Sequence, residues 1–178
     1  MDHRLRKATL NDRSAIQKLI AESARELSTE DYTSTQIETA IATVFGFDSD
    51  LVEDNTYFVA ERDDSTLVGC GGWSRRKTLF GGDQYPDRDS GYLDPGSEPA
   101  KIRAFFVHPQ FARKGIARAI LSACETEARA AGFTSVELMA TLPGVKLYKA
   151  CGFEGDQQVE CELRSGVKLQ LVPMRKVL

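Results

Sequence analysis

The chain has 178 residues, with 23 Lys and Arg against 26 Asp and Glu, which gives a formal net charge of −3 at pH 7. This balance excludes a protein whose whole surface attracts nucleic acid or an anionic membrane. Hydrophobic residues make up 42% and charged residues 28% of the sequence, as in an ordinary water-soluble globular protein. The length suits one full hydrophobic core, so we expect residues 1–178 to form a single domain.

The cysteines, histidines and apolar runs limit the location and the metal content. Four cysteines are scattered without a C-x-x-C pair, at Cys70, Cys124, Cys151 and Cys161. With only two histidines, a zinc site is not expected, whereas reduced thiols in a cytoplasmic protein are. The sequence has no apolar run of membrane-spanning length and no signal-peptide core near Met1. We therefore expect a cytoplasmic protein without a metal, a membrane or a nucleic-acid partner.

The first half of the chain predicts a strand, two helices and a β-hairpin. Leu5 alternates with basic residues, and Thr9 and Asp12 offer an N-cap for the first helix. The elements predicted in this half are strands at 3–8, 55–61 and 66–73, a helix that ends near residue 28, and a helix at 34–45. Glycines within the third strand resemble part of a dinucleotide-binding loop, but no helix follows them. We interpret them as small residues that let backbone or ligand approach closely.

A long segment at residues 77–99 separates the two halves. It is rich in Gly, Asp, Pro and Ser, and it also contains Phe80, Tyr85, Tyr92 and Leu93. A connection of this length is usually a functional lid or a disordered segment. The embedded aromatic residues favour a packed loop, and a role in contacting a ligand stays open.

The second half contains the most informative stretch, residues 105–118. An apolar run of strand type ends at Pro109, and a short basic loop then crosses Gly115 into a long helix. The elements predicted in this half are strands at 101–108, 135–140, 153–163 and 167–174, and helices at 116–131 and 142–150.

The start of the helix at 116–131 lacks a side-chain cap. Residues 112–116 include no Ser, Thr, Asp or Asn, while Arg113 and Lys114 lie beside the first helical amides. Free amides, the helix dipole and two cations together make a candidate anion site. Water could cap the same amides, and the residues alone leave both interpretations open.

The order of elements and several motifs resemble the GNAT family of acyl-CoA-dependent N-acyltransferases. The predicted order is β-α-α-β-β-β-α-β-α-β-β, and the motifs are Phe106-Val107-His108-Pro109, Arg113-Lys114-Gly115-Ile116-Ala117 and Leu147-Tyr148-Lys149-Ala150-Cys151-Gly152-Phe153. The family signature, Arg/Gln-x-x-Gly-x-Gly/Ala, falls on residues 112–117. Gly115 and Ala117 fit this signature, and Ala112 departs from it. Thr141 is a second departure, at a position where many relatives carry Asn.

The resemblance implies an α/β (α+β) fold with a single GNAT domain. Its central sheet would be mixed and mostly antiparallel, with about seven strands and about four flanking helices. The strands at 101–108 and 135–140 would run parallel and splay apart. Acetyl-CoA would lie in that opening as the co-substrate.

The resemblance also implies roles for particular residues. Backbone groups of Phe105, Phe106 and Val107 would pair with the pantetheine arm, and one of their amides would polarise the thioester carbonyl. The coenzyme diphosphate would be held by the loop and first helical turn formed by Ala112, Arg113, Lys114, Gly115, Ile116, Ala117 and Arg118, with Thr141 as a further contact. Residues 105–107 break simple alternation, which suits a β-bulge or a strand buried on both faces.

Tyr148 would be the general acid that protonates the departing CoA thiolate. Taken without the motifs around it, Tyr148 reads equally well as a core residue of an amphipathic helix. The general base is open, because attack requires a neutral amine and Glu98, Glu137, His108 and water are all candidates by position.

The acceptor side of the reaction is the less determined half. Trp73 and the segment at 77–99 are expected to frame it. The acidic residues of that segment either favour a cationic acceptor or are simply solvated; they are Asp83, Asp87, Asp89, Asp94 and Glu98. We expect transfer of an acetyl group from acetyl-CoA to a primary amine of a small molecule or peptide, by direct attack in a ternary complex. The alternative is a non-catalytic acyl-CoA-binding or sensing module, and a homodimer is an open possibility.

Overall fold

A computed structural model describes residues 3–178, and one sheet joins all of their strands. The strands are β1 (His3–Lys7), β2 (Tyr57–Arg62), β3 (Leu67–Ser74), β4 (Ala100–Val107), β5 (Ser135–Thr141), β6 (Val159–Glu162) and β7 (Lys168–Val177). The α-helices are α1 (Arg13–Leu27), α2 (Ser34–Thr43), α3 (Ser49–Glu53), α4 (Ile116–Ala130) and α5 (Val145–Ala150).

The seven strands follow the order β1-β2-β3-β4-β5-β7-β6 across the sheet. The pair β4 and β5 is parallel, and all other neighbouring strands are antiparallel. This arrangement confirms the predicted mixed, mostly antiparallel sheet of the α/β (α+β) class.

Two apolar clusters sandwich the sheet. The long helix α4 buries Ile116, Ile120 and Cys124 against one cluster, as its helical periodicity predicts. The first helix, α1, buries Ile16 and Leu19 in the other cluster. Each fully buried Leu or Ile contributes about 1.5–3 kcal/mol by leaving water, so these two helices fix the layers around the sheet.

Helix boundaries differ from the sequence prediction in two places. The structure has five α-helices in residues 3–178, against about four expected, because α3 is too short to show helical periodicity. The feature that marks the start of α3 is its N-cap, because the Asp48 carboxylate accepts a hydrogen bond from the Leu51 amide at 3.3 Å. The second helix ends at Thr43, because the amides of Val44 and Phe45 both turn back to the Ala40 carbonyl. Thr9 and Asp12 do form a capping box, but it caps the 3-10 turn Leu10–Asp12 that leads into α1, and α1 itself begins without a side-chain cap.

The last hairpin also differs from its prediction. The sixth strand covers Val159–Glu162 instead of residues 153–163, and β7 extends to Val177. The interruption lies near Gly155, whose backbone approaches Pro173 so closely that a Cβ there would be 2.2 Å from the Pro173 carbonyl oxygen. This contact takes the chain out of regular pairing until Val159.

A β-bulge in β4 confirms the prediction from residues 105–107. Cys70 pairs with Phe106 and Gly72 pairs with Arg103, so two residues of β4 lie opposite Gly71. The first bulge residue, Ala104, has φ 59, a left-handed conformation that L-residues adopt at a cost. The buried Cys70 thiol donates to the Ala104 carbonyl at 3.4 Å, which helps to hold the bulge.

The glycines of β3 lie at positions where neighbouring residues of β4 and α4 approach the strand closely. A Cβ on Gly71 would be 2.7 Å from the Phe105 ring, and a Cβ on Gly69 would be 2.5 Å from Ile116. The interpretation of these glycines as positions of close approach is therefore confirmed.

The parallel strands separate soon after they meet. Only Ala100 with Val136 and Lys101 with Glu137 are paired between β4 and β5. Beyond these pairs β4 follows β3 as far as Val107, while β5 follows β7 to Thr141. The predicted splay is confirmed, and it leaves one edge of β4 open along the bulge.

Replacement of Gly71 by Ala tests the role of this close approach. We expect Gly71→Ala to lower the free energy of unfolding by about 1–3 kcal/mol, because the new methyl group overlaps the Phe105 ring. Urea denaturation measures the change. The control is Gly96→Ala, whose Cβ would be at an ordinary 3.5 Å from Asp94. Equal unfolding midpoints for both variants would show that the bulge tolerates a side chain at residue 71.

Candidate functional site

A cavity of about 460 Å³ occupies the opening between β4 and β5 and reaches the start of α4. One wall consists of Phe105, Phe106 and Val107, and the opposite wall comes from α1. Since β4 has no strand partner on this side after Lys101, an extended ligand can pair with its backbone as an added strand. We call this space the large cavity.

The basic loop forms the end of the large cavity. Gly115 is the N-cap of α4 with φ 86, and no side chain caps this helix start. A Cβ on Gly115 would have no atom within 4 Å, so nothing in residues 3–178 covers the loop there. The amides at the start of a helix of 15 residues are thus accessible, and this geometry favours an anion.

The predicted loop residues all lie near this helix start. Arg113, Lys114 and Arg118 are exposed, and Arg113 has φ 62. The large cavity is lined by Ala112, Arg113, Gly115, Ile116, Ala117 and Arg118. Lys114 instead lies over the Phe111 ring, with its Nζ 4.9 Å from the ring centroid. The loop therefore supplies positive charge as well as amides.

Tyr148 lies in α5 and is buried, with only 8% of its surface exposed. Its ring packs edge-on against Phe105 and Phe153, with centroid distances of 6.4 and 5.7 Å. Burial raises the pKa of the Tyr148 phenol well above its ordinary value, so the hydroxyl stays protonated across the neutral range. Tyr148 lines the large cavity, and its protonated phenol is held in place by aromatic packing.

A second cavity, of about 80 Å³, lies next to the large one. We call it the small cavity. It is bounded by β4, β5, the connection between α2 and α3, and residues 79–82. The residues that line both cavities are Phe45, Phe105, Phe106, Thr141 and Tyr148. Two ligands, one in each cavity, would therefore meet beside the bulge and the Tyr148 ring.

Arg103 and Asp48 form a buried ion pair in the wall of the small cavity, and neither was singled out from the sequence. Their exposed fractions are 4% and 1%. One guanidinium nitrogen of Arg103 lies 3.2 Å from the Asp48 carboxylate, and another donates to the Thr78 carbonyl at 3.0 Å. The remaining nitrogen, Nε, is buried without a hydrogen-bond partner. The two residues are 55 positions apart in the chain, so no local sequence pattern predicts that they form a pair.

Tyr32 is another residue that the sequence reading missed. Its hydroxyl accepts a hydrogen bond from the Leu142 amide at 2.9 Å and donates one to the Gln170 carbonyl at 2.6 Å. Burial raises the pKa of Tyr32 to about 12, so the phenol remains a donor. These bonds fix the end of β5 beside Thr141, which lines both cavities.

The segment at 77–99 is a packed loop, as its aromatic residues predict. Phe80 and Tyr85 stack at 5.1 Å between ring centroids, and Arg88 donates to Asp48 and Asp50 at 3.0 and 2.9 Å. Several acidic side chains of the segment stabilise its own fold. Asp83 accepts from the Ser49 amide at 2.8 Å, and Asp94 accepts from the Ser97 hydroxyl at 2.7 Å.

The three candidate bases have other hydrogen-bond or ionic partners. Glu98 accepts from the Asp94 amide at 2.7 Å, and Glu137 pairs with Lys101 where β4 and β5 are still joined. His108 accepts from the Gln110 amide through Nδ1 at 3.3 Å. Among residues 3–178, none of these three candidates is one of the residues that line the two cavities.

The expectation that Trp73 frames the acceptor side is wrong. Its indole is buried beside Phe133 in the α4-side cluster, and Nε1 donates to Glu127 at 2.8 Å. Side chains along β3 alternate between the faces of the sheet, and Trp73 lies on the same face as Gly69, which approaches Ile116 of α4.

The described residues offer neither a metal site nor a membrane-spanning helix. Residues 3–178 contain no group of three or more His, Cys, Asp or Glu side chains arranged to hold a metal ion. No helix in this region is long and apolar enough to cross a membrane.

Solved structures of acetyltransferases share the fold of this chain. A GCN5-related N-acetyltransferase from Rhodopseudomonas palustris superimposes with a TM-score of 0.73 at 16% identity, over 100% of this chain and 97% of that one. The PaiA N-acetyltransferase of Thermoplasma acidophilum, solved with coenzyme A, gives 0.67 at 16% identity over 100% of both chains. The yncA structure from Salmonella typhimurium, solved with acetyl-CoA, gives 0.63 at 17% identity over 100% and 95%.

Sequence comparison adds the family. No curated protein matches the chain significantly. The sequence profile of the acetyltransferase (GNAT) family matches residues 20–153, which is well over half of the chain and includes the loop at 112–118 and Tyr148. The resemblance drawn from the motifs is confirmed, and the chain belongs to the acetyltransferase (GNAT) family.

Proposed function

We propose that the chain transfers an acetyl group from acetyl-CoA to a primary amine by direct attack in a ternary complex. The observation that carries this proposal is the meeting of the large and small cavities at Phe105, Phe106, Thr141 and Tyr148. Membership of the acetyltransferase family supports it, as do the solved relatives that contain coenzyme A or acetyl-CoA.

The large cavity would hold the coenzyme. The amides and cations at the start of α4 suit its diphosphate, which carries negative charge. The pantetheine arm would run along the open edge of β4 and exchange hydrogen bonds with the backbone at residues 105–107. An amide freed by the bulge would then donate to the thioester carbonyl and stabilise the negative charge that develops there.

The transfer step would begin with attack of a neutral amine on the carbonyl carbon. A nitrogen–carbon bond forms, the carbon–sulfur bond breaks, the nitrogen loses one proton, and the CoA sulfur gains one. Tyr148 would supply the proton to the sulfur. Since Glu98, Glu137 and His108 have other partners, we assign the removal of the amine proton to water.

Two further expectations remain proposals of the same kind. A cytoplasmic location is supported by four cysteines in the described region that are all free thiols. A homodimer stays a prediction that sedimentation analysis can measure.

The central experiment measures CoA release when purified protein is mixed with acetyl-CoA and a panel of amines, amino acids and peptides. We expect CoA release above background, and mass spectrometry should find the matching N-acetylated product. Tight acetyl-CoA binding without any turnover across the panel would instead support the non-catalytic binding module.

Replacement of Tyr148 by Phe tests the proton donor. We expect kcat to fall about 100-fold, at the low end of the effect of general acids, because a thiolate leaves without much help. The Tyr148 pKa is raised, so the active, protonated form persists as the pH increases. The wild-type kcat/KM should therefore rise with deprotonation of the amine and show no descending limb below about pH 10.

Tyr92→Phe is the matched control for Tyr148→Phe, because Tyr92 is 66% exposed and outside both cavities. A wild-type rate for Tyr148→Phe would exclude the phenol as the donor. A descending limb near pH 8 that disappears in Tyr148→Phe would contradict the raised pKa.

Replacement of Arg113 by Gly separates charge from backbone shape in the loop. Glycine accepts the positive φ of residue 113 without strain, so we expect little change in stability. Acetyl-CoA affinity should fall about fivefold and depend less on salt, because one exposed cation near the diphosphate is lost. Calorimetric titration at two salt concentrations measures both. Arg164→Ala, in the exposed turn between β6 and β7, is the control, and equal affinities for the two variants would remove Arg113 from the diphosphate site.

A further inference from the structure

Arg103 has more hydrogen-bonding capacity than its surroundings use. A guanidinium carries five N–H donors and cannot accept a hydrogen bond. The described partners are the Thr78 carbonyl at 3.0 Å and the Asp48 carboxylate at 3.2 Å. Nε has no partner, although the side chain is 1% exposed and lies in the wall of the small cavity. A buried N–H group that has no acceptor is stabilised when a ligand oxygen accepts its hydrogen bond.

Arg103 shares its direct ionic partner with a second arginine. Asp48 also pairs with Arg88 at 3.0 Å, so one carboxylate faces two guanidinium groups. Arg88 has a second partner in Asp50 at 2.9 Å, whereas Arg103 relies on Asp48. Burial lowers the pKa of Arg103 and the neighbouring Arg88 adds to that effect, whereas Asp48, Asp50 and Asp54 oppose it. The carboxylates of the cluster balance its charge, but Arg103 Nε still has no acceptor.

The rest of the small cavity limits what can enter. Most of its walls are apolar, including Leu79, Phe80, Ile102 and Leu138. Its volume of about 80 Å³ has room for about five to eight water-sized atoms. A polyamine would place a cation against Arg103, and a phosphate would place more than one negative charge next to Asp48. A carboxylate adds one charge with few atoms and offers oxygens that a guanidinium binds well.

The position of Arg103 sets the spacing of the ligand groups. Among the residues shared by both cavities, Phe105 lies two positions further along β4, and two residues of chain span at most about 7 Å. A reacting amine beside Phe105 and a carboxylate beside Arg103 would thus be separated by only a few atoms.

We propose that the acceptor is a small amino carboxylate, such as a free amino acid, whose carboxylate receives a hydrogen bond from the Arg103 guanidinium, which has N–H donors to spare. Arg103 is then the residue that determines specificity for the acceptor, and Asp48 holds it in place. This inference rests on the proposed acetyl transfer. It narrows the expected primary amine to one that carries a carboxylate, and it disfavours the cationic acceptor that the acidic residues at 77–99 left open.

The first test compares acceptors that differ only in the carboxylate. Alanine, alaninamide and ethylamine form one series, and phenylalanine, phenylalaninamide and phenethylamine form a larger one. We expect kcat/KM for the amino acid to exceed that of its amide and its decarboxylated amine at least tenfold. Equal values within a series, or a preference for spermidine over all six compounds, would overturn the carboxylate site and leave acetyl transfer intact.

The second test removes the guanidinium. In Arg103→Met the ratio of kcat/KM for alanine over alaninamide should fall at least tenfold, while the KM for acetyl-CoA stays unchanged. Arg103→Lys keeps the charge but lacks the Nε donor, and we expect an intermediate ratio. Arg75→Met, at an exposed position outside both cavities, is the control. Since Arg103 is buried, the melting temperature of each variant is measured first.

A double variant separates folding from specificity. Arg103→Met together with Asp48→Asn removes both members of the ion pair and keeps an N-cap for α3. If this variant folds and still prefers alanine to alaninamide, the ion pair is only structural and the proposal is wrong.

A binding measurement distinguishes failure of this inference from failure of the acetyl transfer. If no amine is acetylated, calorimetry of the CoA-loaded protein with N-acetylalanine still reports on the small cavity. Binding that is lost in Arg103→Met supports the carboxylate site without catalysis. If N-acetylalanine did not bind the wild-type protein, the carboxylate site would be refuted.

Discussion

The end of β4–β5 pairing after Lys101 is the constraint on which the site depends. A parallel pair that continued would satisfy the backbone groups of both strands and close the sheet. The divergence leaves the edge of β4 unpaired next to its bulge, where polar backbone groups need a partner. Both cavities border this stretch of strand, so one irregularity in the sheet creates the place where two ligands can meet.

The bulge in turn depends on small and soft neighbours in β3. Gly71 leaves room for the Phe105 ring, and Cys70 supplies a weak donor to the Ala104 carbonyl. Burial raises the pKa of the Cys70 thiol to about 12, so it remains protonated and able to donate. A strand of larger residues would pack well on both faces, but it could not accept the extra residue of β4.

Charged residues organise the other side of the site. The short helix α3 and its cap bring Asp48, Asp50 and Asp54 together, and these bind Arg76, Arg88 and Arg103. Buried ion pairs of this kind add little net stability, but breaking one member leaves an unbalanced charge. The network thus fixes where the segment at 77–99 lies and how Arg103 is presented to the small cavity.

Sequence reasoning reached the parts of the molecule that have a local signal. The helical periodicity after Gly115, the missing cap at residues 112–116 and the broken alternation at 105–107 all correspond to features of the structure. The site roles suggested for the basic loop and Tyr148 stay predictions, although the geometry brings these residues to one cavity. Tyr32 and the Arg103–Asp48 pair have no local signal, because their partners are distant in the chain. The prediction for Trp73 was wrong because the sequence does not show which of the two faces of β3 borders the site.

The two hydrogen bonds of Tyr32 have a consequence for the motion of the site. Its hydroxyl joins the start of the α5 region to β7, while its backbone belongs to the connection between α1 and α2. Widening the opening by moving the end of β5 would break both bonds together and loosen three parts of the chain at once. An opening at this end of β5 would therefore be a cooperative event, and exchange of the Leu142 amide with solvent should report it.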